Sequence, residues 1–328
     1  MEHTASVRWG LIGTSGFADT TFAPALKQAG QTLVGAAGSI PEHSDAFATR
    51  HGCPRVYGAL EDLLADPDID AVWVASPNYL HEPHIAAALT RGKHVLAEKP
   101  LATTGTDADS LARLAESVDR HLGVGYQARF HPALCDLREH VRDGEVGKVA
   151  FVRASWQTQY PALPREWRLQ RETSGGWSIM DIGTHGLDAA LWLTGFPEAH
   201  LLAASLGTQH WPVEVDDQAL LLLDLGSTKA IVEAATGVRG PINRVEVYGT
   251  EGWAIATGTY VDRLGPAGGS LTTSSGIERS YDDAANPYEA QAAAFAAWTR
   301  GHEYPGATAH EGARNVAILE SARDWVPR

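Results

Sequence analysis

The chain has 328 residues, 44% hydrophobic and 20% charged, with a formal net charge of −14 at pH 7. That acidic balance repels nucleic acid and anionic membranes over most of the surface, so an anionic ligand must be met by local backbone donors. Two cysteines, Cys53 and Cys135, are too few for a disulfide framework and have no metal-ligand spacing. No apolar run approaches the roughly 18 residues that span a bilayer, and residues 1–10 lack a basic stretch followed by an apolar core. The expectation is a cytoplasmic protein without membrane, nucleic-acid or metal partners.

Residues 7–12 read as a strand that runs into Gly13-Thr14-Ser15-Gly16-Phe17-Ala18 and then a helical pattern toward Ala29. This resembles the dinucleotide fingerprint, in which glycines allow a tight turn and close approach of a pyrophosphate to a helix N-terminus. Ser15 stands at the second glycine position and Ala18 at the third. Pro24 interrupts the helix and starts a new turn. A second strand, 32–37, ends in Gly38-Ser39-Ile40, where an Asp or Glu would bind the ribose 2′-hydroxyl of NAD. No acidic residue stands there, and Ser39 or the nearby His43 has room to meet a 2′-phosphate, so NADP is favoured over NAD.

Alternation continues: helix 44–51, strand 55–57, helix 60–65, and an apolar strand 71–75 suited to the centre of a parallel sheet. Ser76-Pro77-Asn78 follows, then a helix carrying His81 and reaching Arg91. The next stretch, Gly92-Lys93-His94-Val95-Leu96-Ala97-Glu98-Lys99-Pro100, is a buried strand stopped by a proline. Lys99 precedes that proline and is held extended, beyond a strand end, where open α/β sheets bind ligands. An ammonium beside apolar walls loses hydration and is a candidate to give or take a proton. In isolation Glu-Lys-Pro is more often a surface turn, and Asn78 is as readily a helix cap as a crevice residue. A helix over 106–120 and a strand over 122–126 complete a doubly wound parallel sheet.

After a helix over 131–142, closed by Asp143-Gly144, the character becomes β-rich at 149–156. The segment 175–193 places Asp181, His185 and Asp188 on one helix face at i, i+4 and i+7. Gly183 and Gly186 each cost roughly 1 kcal/mol inside a helix, which implies that something approaches the backbone. Asp181 is expected to orient His185 and raise its pKa. An ordinary helix pair, or half of a metal site lacking a third ligand, are the other readings.

Taken together, the glycine turn, Ser76-Pro77-Asn78, Glu98-Lys99-Pro100, Asp181-Ile182-Gly183-Thr184-His185, Gly249-Thr250-Glu251-Gly252 and Asn286-Pro287-Tyr288 resemble the Gfo/Idh/MocA oxidoreductases along almost the whole chain. The resemblance implies a Rossmann domain over 1–126. It implies a substrate-binding and oligomerisation domain over 127–328, built on a large, mostly antiparallel sheet, whose final helices can return to the first domain. It implies hydride transfer between NAD(P) and a hydroxyl or ketone carbon of a sugar, polyol or sugar-like compound. Lys99, Asp181 and His185 would be the catalytic group, with His185 as acid/base and a cis bond before Pro100. Cofactor contacts would come from residues 13–18, Ser39, Ser76, Pro77, Asn78, His81, Glu98, Lys99, Gln127, Trp167 and Arg168. Substrate contacts would come from Lys99, Arg129, Tyr160, Asp181 and His185, with a structural ion pair the other reading of Arg129. The alternatives are a dinucleotide-binding regulatory protein without turnover and an enzyme for an imine or non-sugar diol.

The last third reads as strands at 220–225, 229–236 and 243–248, a turn at 266–270, and helices at 287–300 and 311–325. Phe295, Trp298, Val316 and Leu319 read as core. A sheet this broad needs its outer face covered, so a homodimer or homotetramer packed through it is expected.

Overall fold

The structure is a computed structural model and describes residues 6–240, 243–260, 265 and 267–326. Among these residues the first sheet has seven strands, in the order Ala307–Thr308, Leu122–Val124, His94–Ala97, Ala71–Val74, Arg8–Ile12, Thr32–Ala37, Arg55–Tyr57. All pair in parallel except Ala307–Thr308, which runs antiparallel to Leu122–Val124. Strand order reverses beside Arg8–Ile12, so the loops after Ile12, Val74 and Ala97 open onto one crevice. The central strands are sealed on both faces: Trp9, Leu11, Val72, Trp73, Val95 and Leu96 have no exposed surface. Burying each such side chain contributes about 1.5–3 kcal/mol, which fixes the strand ends that carry the crevice residues.

Local boundaries follow backbone chemistry. The helix after the glycine turn begins as a π-helical turn, Ala18–Phe22, and resumes as an α-helix, Ala23–Gln28, with Pro24 in its first turn. Pro24, which has no N–H to give, stands where the π-helical turn passes into the α-helix. The helix expected over 106–120 is Gly105–Ser117, capped by the Thr104 side chain accepting from Asp107 N. It ends before Asp119, whose φ of 53° cannot continue a helix. The turn expected at 266–270 lies partly outside the described residues, and Ser270 already begins a strand.

The second sheet has eight strands among the described residues, with Val149–Gln157 near its centre. That strand pairs in parallel with Thr228–Ala235 and antiparallel with Arg244–Gly249, and the other pairings are antiparallel. Every residue of the helix Thr184–Leu193 is buried, one side of it on this sheet and the other under the closing helix. The closing helix Ala309–Arg323 starts in a capping box of Thr308 and Glu311 and lies against both Gly105–Ser117 and Thr184–Leu193. The helix Pro287–Trp298 likewise packs on Ala23–Gln28. Phe295, Val316 and Leu319 are fully buried. Trp298 is only half-buried, stacked between His121 and Tyr304 at 4.1 and 4.4 Å. Among the described residues no helix is long and apolar enough to cross a membrane, and no group of three or more His, Cys, Asp or Glu side chains is placed to hold a metal.

The two helix glycines differ in what surrounds them. A Cβ on Gly186 would stand 2.9 Å from Val232 Cγ1 and 3.2 Å from Ala154 Cβ, so the sheet itself is what approaches the backbone. At Gly183 the nearest atom would be at an ordinary 3.4 Å. Gly186→Val is therefore expected to lose about 1–3 kcal/mol in denaturant unfolding through overpacking. Gly183→Ala is expected to match or exceed the parent by up to about 1 kcal/mol.

Candidate active site

One cleft of about 910 Å³ runs from the glycine turn to the helix start at Asp181. At its far end Gly13 has φ +99°, and a Cβ there would lie 2.8 Å from the Ala75 carbonyl oxygen. Its N–H donates to Ala37 O at 2.8 Å, locking the turn between the first two strands. Gly38 is equally confined, because a Cβ would fall 2.3 Å from Thr14 Oγ1. Gly16 meets nothing within 4 Å, which leaves open space over the turn. Gly13 and Gly38 are thus pressed by neighbouring loops of the chain itself, and the open side of the turn at Gly16 is left as a bare backbone cradle in the cleft. Thr14, Ser15, Phe17, Ser39 and His43 line the same end. Ala18 does not; it is buried beneath the turn.

The crevice wall is braced by histidine. His81 reaches the Pro100 carbonyl through Nδ1 (2.7 Å) and the Ser76 carbonyl through Nε2 (2.9 Å), tying together the loops after two neighbouring strands. Burial holds its pKa down to about 4 against those two carbonyls, so the neutral ring donates its one N–H to only one of them at a time. His84 Nδ1 meets Ser76 Oγ at 3.0 Å. Asn78 caps no helix; its Nδ2 donates to Ser174 O at 2.9 Å, across to the second domain. Ser76, Pro77 and Gln127 also line the cleft. Glu98 accepts from Trp73 Nε1 at 3.3 Å, and burial raises its pKa to about 7 despite the Lys99 charge and that hydrogen bond.

The Lys99–Pro100 peptide is cis. Lys99 Nζ donates to Asp181 O (2.7 Å) and to Asp181 Oδ1 (2.9 Å), and Tyr160 Oη donates to Asp181 Oδ2 (2.8 Å). Burial works against the Asp181 carboxylate. The charges of Lys99 and Arg168 and the two hydrogen bonds outweigh it and hold the carboxyl below its ordinary range.

His185 lines the cleft one helical turn further on, walled by the rings of Trp156, Tyr126 and Tyr260 at 5.6–6.0 Å. Its pKa is pushed well below the histidine value, first by burial and then by the positive Lys99, with Asp181 opposing. Asp181 does pull upward as expected, but burial and the Lys99 charge outweigh it, so the net shift is downward. Among the described residues His185 Nδ1 is buried without a hydrogen-bond partner.

Lys99, Tyr160, Trp167, Arg168, Asp181 and His185 thus share one cleft with the glycine turn. Arg129 is not among them. Its guanidinium is buried in ion pairs with Asp188 (2.7 Å) and Glu311 (3.0 Å), behind the helix Thr184–Leu193. Sequence reasoning missed Tyr260 and the ring face of Trp156, which meet at 4.9 Å and nearly parallel beside His185. Trp156 sat in an expected strand, but Tyr260 follows a strand in a loop with no pattern to mark it.

The first domain, residues 7–126, matches the oxidoreductase family with an NAD-binding Rossmann fold, and residues 135–255 match the GFO/IDH/MocA C-terminal domain. The chain belongs to the Gfo/Idh/MocA family and is an NAD(P)-dependent oxidoreductase. It is 31% identical over 322 residues to 1,5-anhydro-D-fructose reductase of Ensifer adhaerens, covering 96% of each chain. It is 28% identical to D-xylose 1-dehydrogenase (NADP(+)) 2 of Haloferax volcanii, covering 96% of this chain and 97% of that one. The fold matches the crystal structure of aldose-aldose oxidoreductase from Caulobacter crescentus, complexed with glycerol, with a TM-score of 0.86 and 26% identity over 98% of each chain. Homologues use either NAD or NADP: the xylose dehydrogenase is named for NADP(+), and a levoglucosan dehydrogenase with the same fold was solved with NADH.

Arg129→Ala would strand the Asp188 carboxylate, and the expected result is a loss of about 3–5 kcal/mol in unfolding free energy. A raised KM at unchanged stability would instead put Arg129 in contact with substrate.

Proposed function

We propose that this protein oxidises a hydroxyl-bearing carbon of a sugar, polyol or sugar-like compound, or reduces the matching ketone, and prefers NADP. The observation that carries this reading is the convergence of Lys99, Asp181 and His185 on the cleft that holds the glycine cradle. A non-catalytic binding protein has no need of that group. Relatives named for anhydrofructose, xylose and levoglucosan support a carbohydrate.

A bound nicotinamide supplies the hydride acceptor or donor. The chain's own residues move the proton and stabilise charge. His185 is neutral at neutral pH, because burial and Lys99 disfavour the imidazolium. A neutral imidazole is a base, and with Nδ1 buried the proton of a substrate hydroxyl goes to Nε2. An ammonium has three hydrogens. Lys99 places two on Asp181, and the third is available to the substrate oxygen, where it stabilises the alkoxide character of the transition state. In the reverse direction the same groups return a proton to the carbonyl oxygen. At the strand end after Ala37, Ser39 and His43 line the cleft with no carboxylate between them and a 2′-phosphate, which supports NADP.

The reading also includes assembly through the second sheet. Phe151, Tyr248 and Trp253 lie directly opposite one another on adjacent strands and are exposed, Phe151 by 55%. Leu202 and Leu220 on the two strands at the other end of the sheet are exposed too. An apolar row of this kind on a sheet face suits a second copy of the same face.

Absorbance at the nicotinamide band across a sugar and polyol panel, with NADP and NAD compared, tests the activity. Lys99→Ala and His185→Ala are each expected to lower kcat by about 10²–10⁴, with cofactor affinity little changed. Full activity in both would overturn the assignment. In the oxidation direction kcat/KM should hold as pH falls through about 6 and decline only below the ordinary histidine range, since a lowered pKa keeps the base form at lower pH. An acid limb at the ordinary value would contradict it. Light scattering on the parent should report a dimer or larger, and Phe151→Glu with Trp253→Glu should yield a monomer of unchanged secondary structure.

A further inference from the structure

Asp181 owes its place to an acidic pair far along the chain. The loop before the strand Gln218–Leu225 ends in Asp216 and Asp217, both buried. Asp216 Oδ1 accepts from Trp177 N at 2.9 Å. Its Oδ2 accepts from Ile179 N at 2.7 Å and from Ser178 Oγ at 2.5 Å. Its carbonyl accepts from Ser178 N at 3.0 Å. Gly176 admits this approach: with φ +134°, a Cβ there would lie 2.8 Å from Asp216 Oδ1.

The next link is direct. Asp181 N donates to Trp177 O at 2.8 Å, and Asp181 then receives Lys99. A continuous hydrogen-bonded path therefore runs from Asp216 through Trp177 to Asp181 and Lys99. The partner of Asp181 is held by the neighbouring residue. Asp217 O accepts from Thr236 N (2.8 Å), and Thr236 O accepts from Tyr160 N (3.1 Å).

A helix start needs only a local Ser, Thr, Asp or Asn to satisfy its free N–H groups. Here the acceptor comes from a loop of the large sheet, 37 to 39 residues away in sequence. A distant cap does something a local one cannot: it fixes the helix start relative to the sheet, and with it the angle at which the next turn enters the cleft. We propose that Asp216 is a positioning residue for the reaction, seating residues 177–179 so that Asp181 presents its carboxylate to Lys99 and Tyr160. This rests on the oxidoreductase reading above, in which that group is catalytic.

Asp216→Asn keeps the size and one carbonyl oxygen but turns the other oxygen into a donor facing Ile179 N–H. In the full-length protein the expected result is a kcat about tenfold lower, with the cofactor KM unchanged. Amide exchange over residues 177–183 should accelerate while that over 105–117 stays the same. Combined with Tyr160→Phe, the loss should fall well short of the product of the single losses, because both act on one carboxylate. Unchanged exchange and kcat in a folded Asp216→Asn protein, or fully multiplicative losses, would overturn the proposal. If Asp216→Asn does not fold, Ser178→Ala removes one donor and keeps the charge; it should speed exchange over 177–183 and lower kcat, and no change in either overturns the proposal. A parent protein that turns over nothing in the panel defeats the functional reading, whereas the exchange measurement decides the positioning by itself.

Discussion

An ion pair joins the two halves of this molecule at the point where chemistry is expected. Lys99 leaves the end of a strand in the parallel sheet, and Asp181 sits at the head of a helix on the antiparallel one. Both are largely withdrawn from water, so their attraction is stronger than that of a surface pair. It would be costly to hold either charge there alone. The ammonium satisfies the carboxylate and the backbone carbonyl of one residue, which restricts both position and direction. Asn78, bridging to Ser174, repeats the join with a neutral bond.

Around that pair the polar groups have divided their work. Asp181, in helical reach of His185, serves Lys99 and Tyr160 instead. Asp188, on the same helix, faces away and neutralises Arg129 with help from Glu311, while also accepting from Asn315 Nδ2. His185 is left among aromatic rings with the charge of Lys99 nearby, and both influences favour the uncharged imidazole. Three residues that look alike in a helical repeat thus have three different electrostatic settings.

Much of this was legible beforehand because local rules and global packing agree. The strands 32–37 and 55–57 and the helix 60–65 appear at the expected residues, bounded by glycine, proline and aspartate punctuation. Lys99 was placed at a strand end by the proline after it, a constraint that acts on a single residue. Where expectations slipped, a longer-range partner had intervened. The spacing of Asp181 and His185 does correspond to one helical turn, yet the segment opens as a π-helical turn, Ile179–Gly183, stitched to a distant aspartate. Tyr260 reaches His185 from a loop no pattern distinguishes, and Asp216 looked like any acidic residue before a strand.

The order of strands and helices, the glycine turn, the absence of a carboxylate after the second strand and the proline-fixed lysine were all determined by the chain itself, because each depends on backbone geometry within a few residues. Which carboxylate meets which cation, and which protonation state His185 keeps, were decided only on folding. Those outcomes depend on distance and on exclusion of water, and neither exists until segments far apart in the chain have packed together.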